Sequence, residues 1–210
     1  MNAPAGSRIR YVALGDSYTI GTAVDPADAW PTQLVARPGP PGERIELVAN
    51  LGVNGSTSAD VIRDELPDLS RHAPGIVSLL VGVNDVVQGV PEATYRANAA
   101  RILDRLLTNL APERIWTVST PDYTVTPAGA DYGDPATRSA GIVRVNAVLA
   151  ALAAERGIAW VDIHDISLRA ANDRSLVAAD GLHPSGRQYA LWVDRIAPVV
   201  AGLLAQPSSR

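Results

Sequence analysis

Five short runs rich in Ile and Val alternate along this chain with longer stretches of helical periodicity, and no other feature constrains its fold as much. The runs cover residues 8–14, 44–50, 75–81, 114–120 and 158–162. Each is short and mostly apolar, the pattern of strands buried on both faces of a parallel sheet. Between them lie four helical segments. The segment 57–66 opens with Thr57-x-x-Asp60, an acidic version of the capping box. The segment 92–110 sets Ile102, Leu103, Leu106, Leu107 and Leu110 on one face. The segment 137–156 does the same with Val145, Val148, Leu149 and Leu152, and Gly157 stands where a helix-ending glycine belongs. The segment 185–204 begins with a second capping box, Ser185-x-x-Gln188. This βαβαβ alternation predicts a three-layer, doubly wound, flavodoxin-like α/β fold: five parallel strands in the order 2-1-3-4-5, with helices on both faces.

The chain has 210 residues, enough for one domain with a substantial core. The expected division is a flexible tail over 1–7, a single domain over 8–205 and a second tail over 206–210. Residues 38–42 read as a surface turn. The one long irregular segment is 121–135, rich in Pro, Gly, Asp and Tyr, and loops of that length are commonly functional or mobile.

Composition removes several function classes. All 18 basic residues are arginine, so Schiff-base chemistry, a lysine-anchored pyridoxal cofactor and a Walker A loop are excluded. Cysteine is absent, which excludes a thiol nucleophile, a disulfide framework and a thiolate metal site. A net charge of −4 without a basic stripe argues against nucleic acid as a partner. The first seven residues lack the apolar stretch of a secretory signal, and no run reaches membrane-spanning length. A cytoplasmic location and no integral membrane segment are the resulting expectations.

The polar features cluster just after strands or just before a helix. Ser17, in Gly15-Asp16-Ser17, follows the first run; Gly52 follows the second; Asn84, in Gly82-Val83-Asn84-Asp85, follows the third. In a 2-1-3-4-5 sheet those three strands are neighbours, and ligands bind beyond their carboxyl ends at the topological switch point. Asp180 and His183, in Asp180-Gly181-Leu182-His183-Pro184, precede the last helix. Serine is a nucleophile only when a base takes its proton, and imidazole, titrating near neutrality, is the suitable base. A three-residue spacing in a turn lets the Asp180 carboxylate reach Nδ1–H and leaves Nε2 for the serine. Pro184 disfavours helix at His183 and keeps it in the loop. A tetrahedral oxyanion needs donors. The backbone N–H groups of Ser17 and Gly52 and the side-chain amide of Asn84 would supply three.

Together these blocks resemble the SGNH hydrolases, or GDSL family of esterases and lipases. The resemblance spans the chain as four blocks in family order: Gly15-Asp16-Ser17, Gly52, Gly82-x-Asn84-Asp85 and Asp180-x-x-His183-Pro184. It implies Ser17 as nucleophile, His183 as base and Asp180 as its orienting acid. It further implies Ser17, Gly52 and Asn84 as the oxyanion hole, with neither cofactor nor metal. One position departs: Tyr18 replaces the leucine of the eponymous motif, which bears on packing and pocket shape and leaves the chemistry intact.

The expected activity is hydrolysis of short to medium acyl esters, with a small-molecule ester as partner and the oligomeric state left open. Carbohydrate O-deacetylase, thioesterase and lysophospholipase activities use the same site, and a non-catalytic binding domain is the reading from another class. Asp16 and Asp85 read as acceptors for neighbouring loop amides, and His164 as a solvated or hydrogen-bonded loop residue. Tyr95, Tyr123 and Tyr132 read as packing residues, and Trp30, Trp116, Trp160 and Trp192 as core or helix–sheet packing. Val86, Val87 and the loop at 121–123 are expected to border the pocket.

Overall fold

The computed structural model describes residues 8–205; the tails expected at 1–7 and 206–210 lie outside the described residues. Five strands form one parallel sheet: β1 (Ile9–Gly15), β2 (Ile45–Asn50), β3 (Ile76–Leu80), β4 (Ile115–Val118) and β5 (Ala159–Val161). Their order is β2-β1-β3-β4-β5, as expected. Successive side chains of a strand point to opposite faces, and β1 divides accordingly. Tyr11 and Ala13 enter the core on one side of the sheet, Val12 and Leu14 the core on the other.

The helices, in chain order, are α1 (Ser17–Ile20), α2 (Trp30–Ala36), α3 (Ser58–Asp60), α4 (Leu66–Leu69), α5 (Val83–Val87), α6 (Glu92–Leu107), α7 (Pro135–Glu155), α8 (His164–Leu168) and α9 (Gly186–Ala205). The first face is covered by α2 and α9, through Trp30, Leu34, Trp192, Ile196 and Val200. The other is covered by α6 and α7, through Ile102, Leu103, Leu106, Val148 and Leu149. No helix among the described residues is long and apolar enough to cross a membrane.

Two helices differ from expectation. The helix expected over 57–66 continues to Leu69, and its middle turn, Val61–Glu65, is π-helical. Its capping box is reciprocal: Asp60 Oδ2 accepts from Thr57 N–H at 2.8 Å, and Thr57 Oγ1 accepts from Asp60 N–H at 3.4 Å. The box expected at Ser185 is only half formed. Ser185 Oγ accepts from Gln188 N–H at 3.3 Å, but Ser185 N–H donates to Leu176 O at 2.9 Å and not to Gln188 Oε1. The Leu176 carbonyl takes that N–H, and it also accepts from Gln188 Nε2 at 2.8 Å.

Strand register sets the position of the site. Gly15 pairs with Leu80, and Ala13 with Asn50. The carboxyl ends of the three adjacent strands therefore share one sheet edge. At Gly15 the backbone has φ +149°, and a Cβ there would meet Leu80 O at 2.2 Å. Glycine alone fits between β1 and β3 at the point where the chain turns into Ser17.

Candidate active site

Ser17 opens the four-residue helix α1, capped by Asp16. Asp16 Oδ1 accepts from Tyr18 N–H at 3.0 Å, and its carbonyl accepts from the N–H groups of Thr19 and Ile20, both at 3.0 Å. The turn is held from behind by Glu65, whose Oε2 accepts from Gly15 N–H at 2.8 Å. Both acids are buried. Burial pushes Asp16 up to about 8, against the Tyr18 N–H bond and aided by the charge of Asp85. It pushes Glu65 up to about 9, with the Gly15 N–H opposing. Nothing in the sequence pattern pointed to Glu65: it lies on a helix far along the chain, and only the fold brings it beneath the serine turn.

Asp180 and His183 share one turn. His183 Nδ1 lies 2.5 Å from Asp180 Oδ2, while Asp180 Oδ1 accepts from the N–H groups of Leu182 at 2.9 Å and His183 at 3.0 Å. Desolvation pushes the Asp180 carboxyl up, but the His183 ring and the two N–H donors outweigh it and hold it below the usual carboxylate range. Paired to a carboxylate, Nδ1 carries the proton and Nε2 is left as the basic nitrogen. The turn is fastened by Ala178 N–H to His183 O at 2.7 Å and Ser185 N–H to Leu176 O at 2.9 Å. The ring of Tyr18 leans on the imidazole, centroids 5.5 Å apart at 54°.

Asn84 stands in the first turn of α5 and Gly52 in the loop after β2. Asn84 Nδ2 donates to Ser56 O at 3.0 Å and carries a second hydrogen for another acceptor. Its neighbour Asp85, buried, accepts from Ser58 N–H at 2.9 Å and Ser58 Oγ at 2.5 Å, as the loop-amide reading expected. Gly52 packs directly on the serine turn: a Cβ there would lie 2.9 Å from both Asp16 O and Ile20 N. Its N–H donates to Asn50 Oδ1 at 3.2 Å, long for an N–H···O bond.

One cleft of about 170 Å³ brings these parts together. Ser17, Asn84 and His183 line it, with Tyr18, Val83, Val87, Tyr123, Tyr132 and Leu182 as apolar and aromatic walls. Gly52 lies behind the lining, and Asn54 and Gly55 of the same loop reach it instead. Among the described residues no arginine, aspartate or glutamate lines the cleft. A larger groove of about 320 Å³, between α4 and α6, is lined by Leu66, Leu69, Arg105 and Leu110 and contains no base. Chemistry, not size, identifies the site.

The model of the GDSL-like lipase/acylhydrolase family matches residues 13–191. The chain belongs to that family. It is a carboxylic ester hydrolase. Among curated proteins none matches it. Solved structures share the fold. A G-D-S-L family protein from Desulfitobacterium hafniense DCB-2 is 22% identical, over 91% of this chain and 99% of that one, with a TM-score of 0.73. An acetyl xylan esterase from Geobacillus stearothermophilus is 19% identical, over 93% and 95%, with a TM-score of 0.72. The psychrotrophic esterase EstA from Pseudoalteromonas sp. is 17% identical, over 94% and 99%, with a TM-score of 0.69.

In this GDSL-like hydrolase the segment 121–135 forms one wall of the cleft; Tyr123 packs in the core as expected and also reaches the cleft, whereas the reading of Tyr132 as a packing residue is corrected, since it is exposed. Both line the cleft, in edge-to-face contact at 5.9 Å and 76°. Tyr95 does belong to the core, donating to Val81 O at 3.1 Å. Val87 faces the cleft, whereas Val86 turns toward Gly141 of α7. The segment is irregular only in part, with 3₁₀ turns at Tyr123–Val125 and Gly129–Tyr132. Asp122 anchors its start: the carboxylate accepts from Thr124 N–H at 2.9 Å and Ser139 Oγ at 2.5 Å, and Asp122 N–H donates to Ser167 Oγ at 2.8 Å. His164 Nε2 sits 3.7 Å from Asp122, too far for a hydrogen bond, so that pairing is electrostatic. Burial pushes Asp122 up, but His164 and the hydroxyls of Ser139 and Thr124 outweigh it and hold it at about 2. Ala128 N–H donates to Gly181 O at 3.0 Å, tying the wall to the His183 turn.

Proposed function

We propose that this chain is a serine esterase acting on small neutral carboxylic esters through an acyl-enzyme on Ser17. The observation that carries the reading is that Ser17, Asn84 and His183 line one cleft while Asp180 holds the imidazole by Nδ1. His183 Nε2 takes the Ser17 Oγ proton as Oγ bonds to the ester carbonyl carbon. The oxyanion accepts from Ser17 N–H and the second Asn84 Nδ2 hydrogen. Gly52 N–H joins as a third donor on exchanging Asn50 Oδ1 for the oxyanion. The carbon–oxygen bond to the alcohol then breaks, and His183 gives its proton to the departing alkoxide. Water, deprotonated by His183, attacks the acyl carbon; Ser17 regains its proton and the carboxylic acid leaves. The Geobacillus acetyl xylan esterase, alike in fold, has a catalytic mutant in which a serine is replaced by alanine, which agrees with a serine nucleophile.

Cleft size and charge support the substrate class. At about 170 Å³ the cleft is well below the ~300–1,000 Å³ typical of sites that engulf a drug-sized ligand. It therefore suits a short acyl group. Its walls carry no formal charge apart from the titratable His183, which favours a neutral ester over a phosphorylated or carboxylated one. A second reading, O-deacetylation of a carbohydrate, is favoured by the exposed ring of Tyr132 at the cleft.

The test is a panel of chromogenic esters from acetate to octanoate, with acetylated xylo-oligosaccharides and an acyl-thioester. It is run on the wild type and Ser17→Ala, with fluorophosphonate labelling read by mass on the Ser17 peptide. Expected are preference for the shortest neutral esters, loss of turnover in Ser17→Ala and one label on Ser17. Retained activity in Ser17→Ala overturns the nucleophile. An unlabelled wild type that cleaves none of the panel revives the binding-domain reading.

A further inference from the structure

The structure assigns to Arg138 the part of a positioning residue that sets the cleft wall, holding Tyr132 in fixed relation to the helix that carries Asn84. Arg138 lies in the first turns of α7, behind the cleft and outside its lining. Its Nε–H donates to Tyr132 O at 3.0 Å and its Nη1–H to Val86 O at 2.5 Å. These carbonyls belong to two separate segments that line the site. Tyr132 ends the 3₁₀ turn that brings it to the cleft, and Val86 lies in α5, whose Val83, Asn84 and Val87 also line it. One rigid guanidinium thus joins the two lining segments from outside the cleft.

The choice of residue matters. The guanidinium is a planar fork whose donors are fixed relative to one another, whereas a lysine ammonium is a single point at the end of a flexible stem. Arginine can hold two carbonyls at a set separation; lysine keeps the charge but satisfies one at a time. Val86 O is already shared with Gly89 N–H at 3.1 Å, so the α5 end is anchored without Arg138. Tyr132 is different. The residue is 43% exposed, and among the described residues its one aromatic contact is edge-to-face with Tyr123. Weakening the bridge therefore moves the Tyr132 side, and the cleft loses the width that excludes longer acyl groups.

This inference rests on the esterase reading of the cleft, and its test separates the two. Arg138→Lys, Tyr132→Ala and the double variant are compared by kcat and KM on acetyl and hexanoyl esters. Hydrogen exchange over residues 129–133 is followed in the wild type and Arg138→Lys. The acetyl-to-hexanoyl ratio of kcat/KM should fall about tenfold in Arg138→Lys, the low end of what an apolar pocket discriminates per methylene. The change should sit in KM. Tyr132→Ala should reproduce it, and the double variant should match the single ones, because residues acting through one another are not additive. Exchange over 129–133 should rise in Arg138→Lys while that over 83–89 holds. An unchanged ratio, a double variant showing the product of two independent effects, or an equal loss on both esters with a lower Tm overturns the assignment. Should the wild type cleave no ester, the catalytic reading falls, and unchanged exchange over 129–133 overturns the bridge on its own.

Discussion

Glu65 accepts from Gly15 N–H at 2.8 Å, joining residues fifty positions apart directly beneath the serine turn. A buried donor left without an acceptor costs about 1–3 kcal/mol. Glu65→Leu should lower unfolding free energy by about that amount, while Glu65→Gln, which keeps a carbonyl oxygen in place, should not. Equal stability of the leucine variant and the wild type in urea unfolding would falsify the link.

The two buried acids also make stability depend on pH. Burial raises Asp16 from 3.8 to about 8 and Glu65 from 4.5 to about 9, so the folded chain keeps protons that the unfolded chain releases in mild acid. Their contribution is fully present below the unfolded values and is lost as pH rises through the folded ones. Wild-type urea midpoints should therefore decline between pH 5 and 9, and Asp16→Asn with Glu65→Gln should flatten that slope. Parallel curves for the two proteins would remove these acids as the cause.

Asp180 has the opposite sign. Held below its ordinary value by His183 and two N–H donors, it contributes stability that is present above about 3.8 and lost as pH falls through the folded value. Asp180→Asn should lack that acid-side loss. It should also lower kcat by roughly 10⁴, the scale seen when an orienting acid is neutralised and the imidazole takes the wrong tautomer. A variant within tenfold of wild type would remove Asp180 from the orienting role.

Asn84 and Gly52 should fail differently. Asn84→Ala removes one donor from the cleft, and kcat should drop ~10²–10³ with Tm nearly held. Gly52→Ala drives a methyl against Asp16 O and Ile20 N, both backbone atoms that cannot turn aside. It should cost about 1–3 kcal/mol of stability as well as activity. If Gly52→Ala unfolds like the wild type and only kcat suffers, the close packing is not what requires glycine there.

Much of this was legible in the chain because local pattern and global fold agree. Ile/Val runs bounded by Gly, Asn and Asp mark all five strands, and their order follows from how βαβ units wind. The blocks around Ser17, Asn84 and His183 could be read because each sits beside a strand end or helix start. What escaped depends on contacts between distant segments. The short α2 and α8 carry too few turns for a periodic signal. Tyr132 looks like a packing residue until its 3₁₀ turn sets it at the cleft. Tyr18 stood out only as a departure from a motif, and its stacking on His183 follows from the fold. Arg138 is one arginine among 18, without any pattern to distinguish it.

The cleft draws its parts from the two ends of the chain, with Ser17 near the start and His183 just before α9. At ~5–20 residues per second, a ribosome spends roughly ten to thirty seconds between making the one and the other. Throughout that interval the nascent protein has its serine and no imidazole beside it. A message cut short anywhere ahead of His183 yields a chain that cannot complete the cleft.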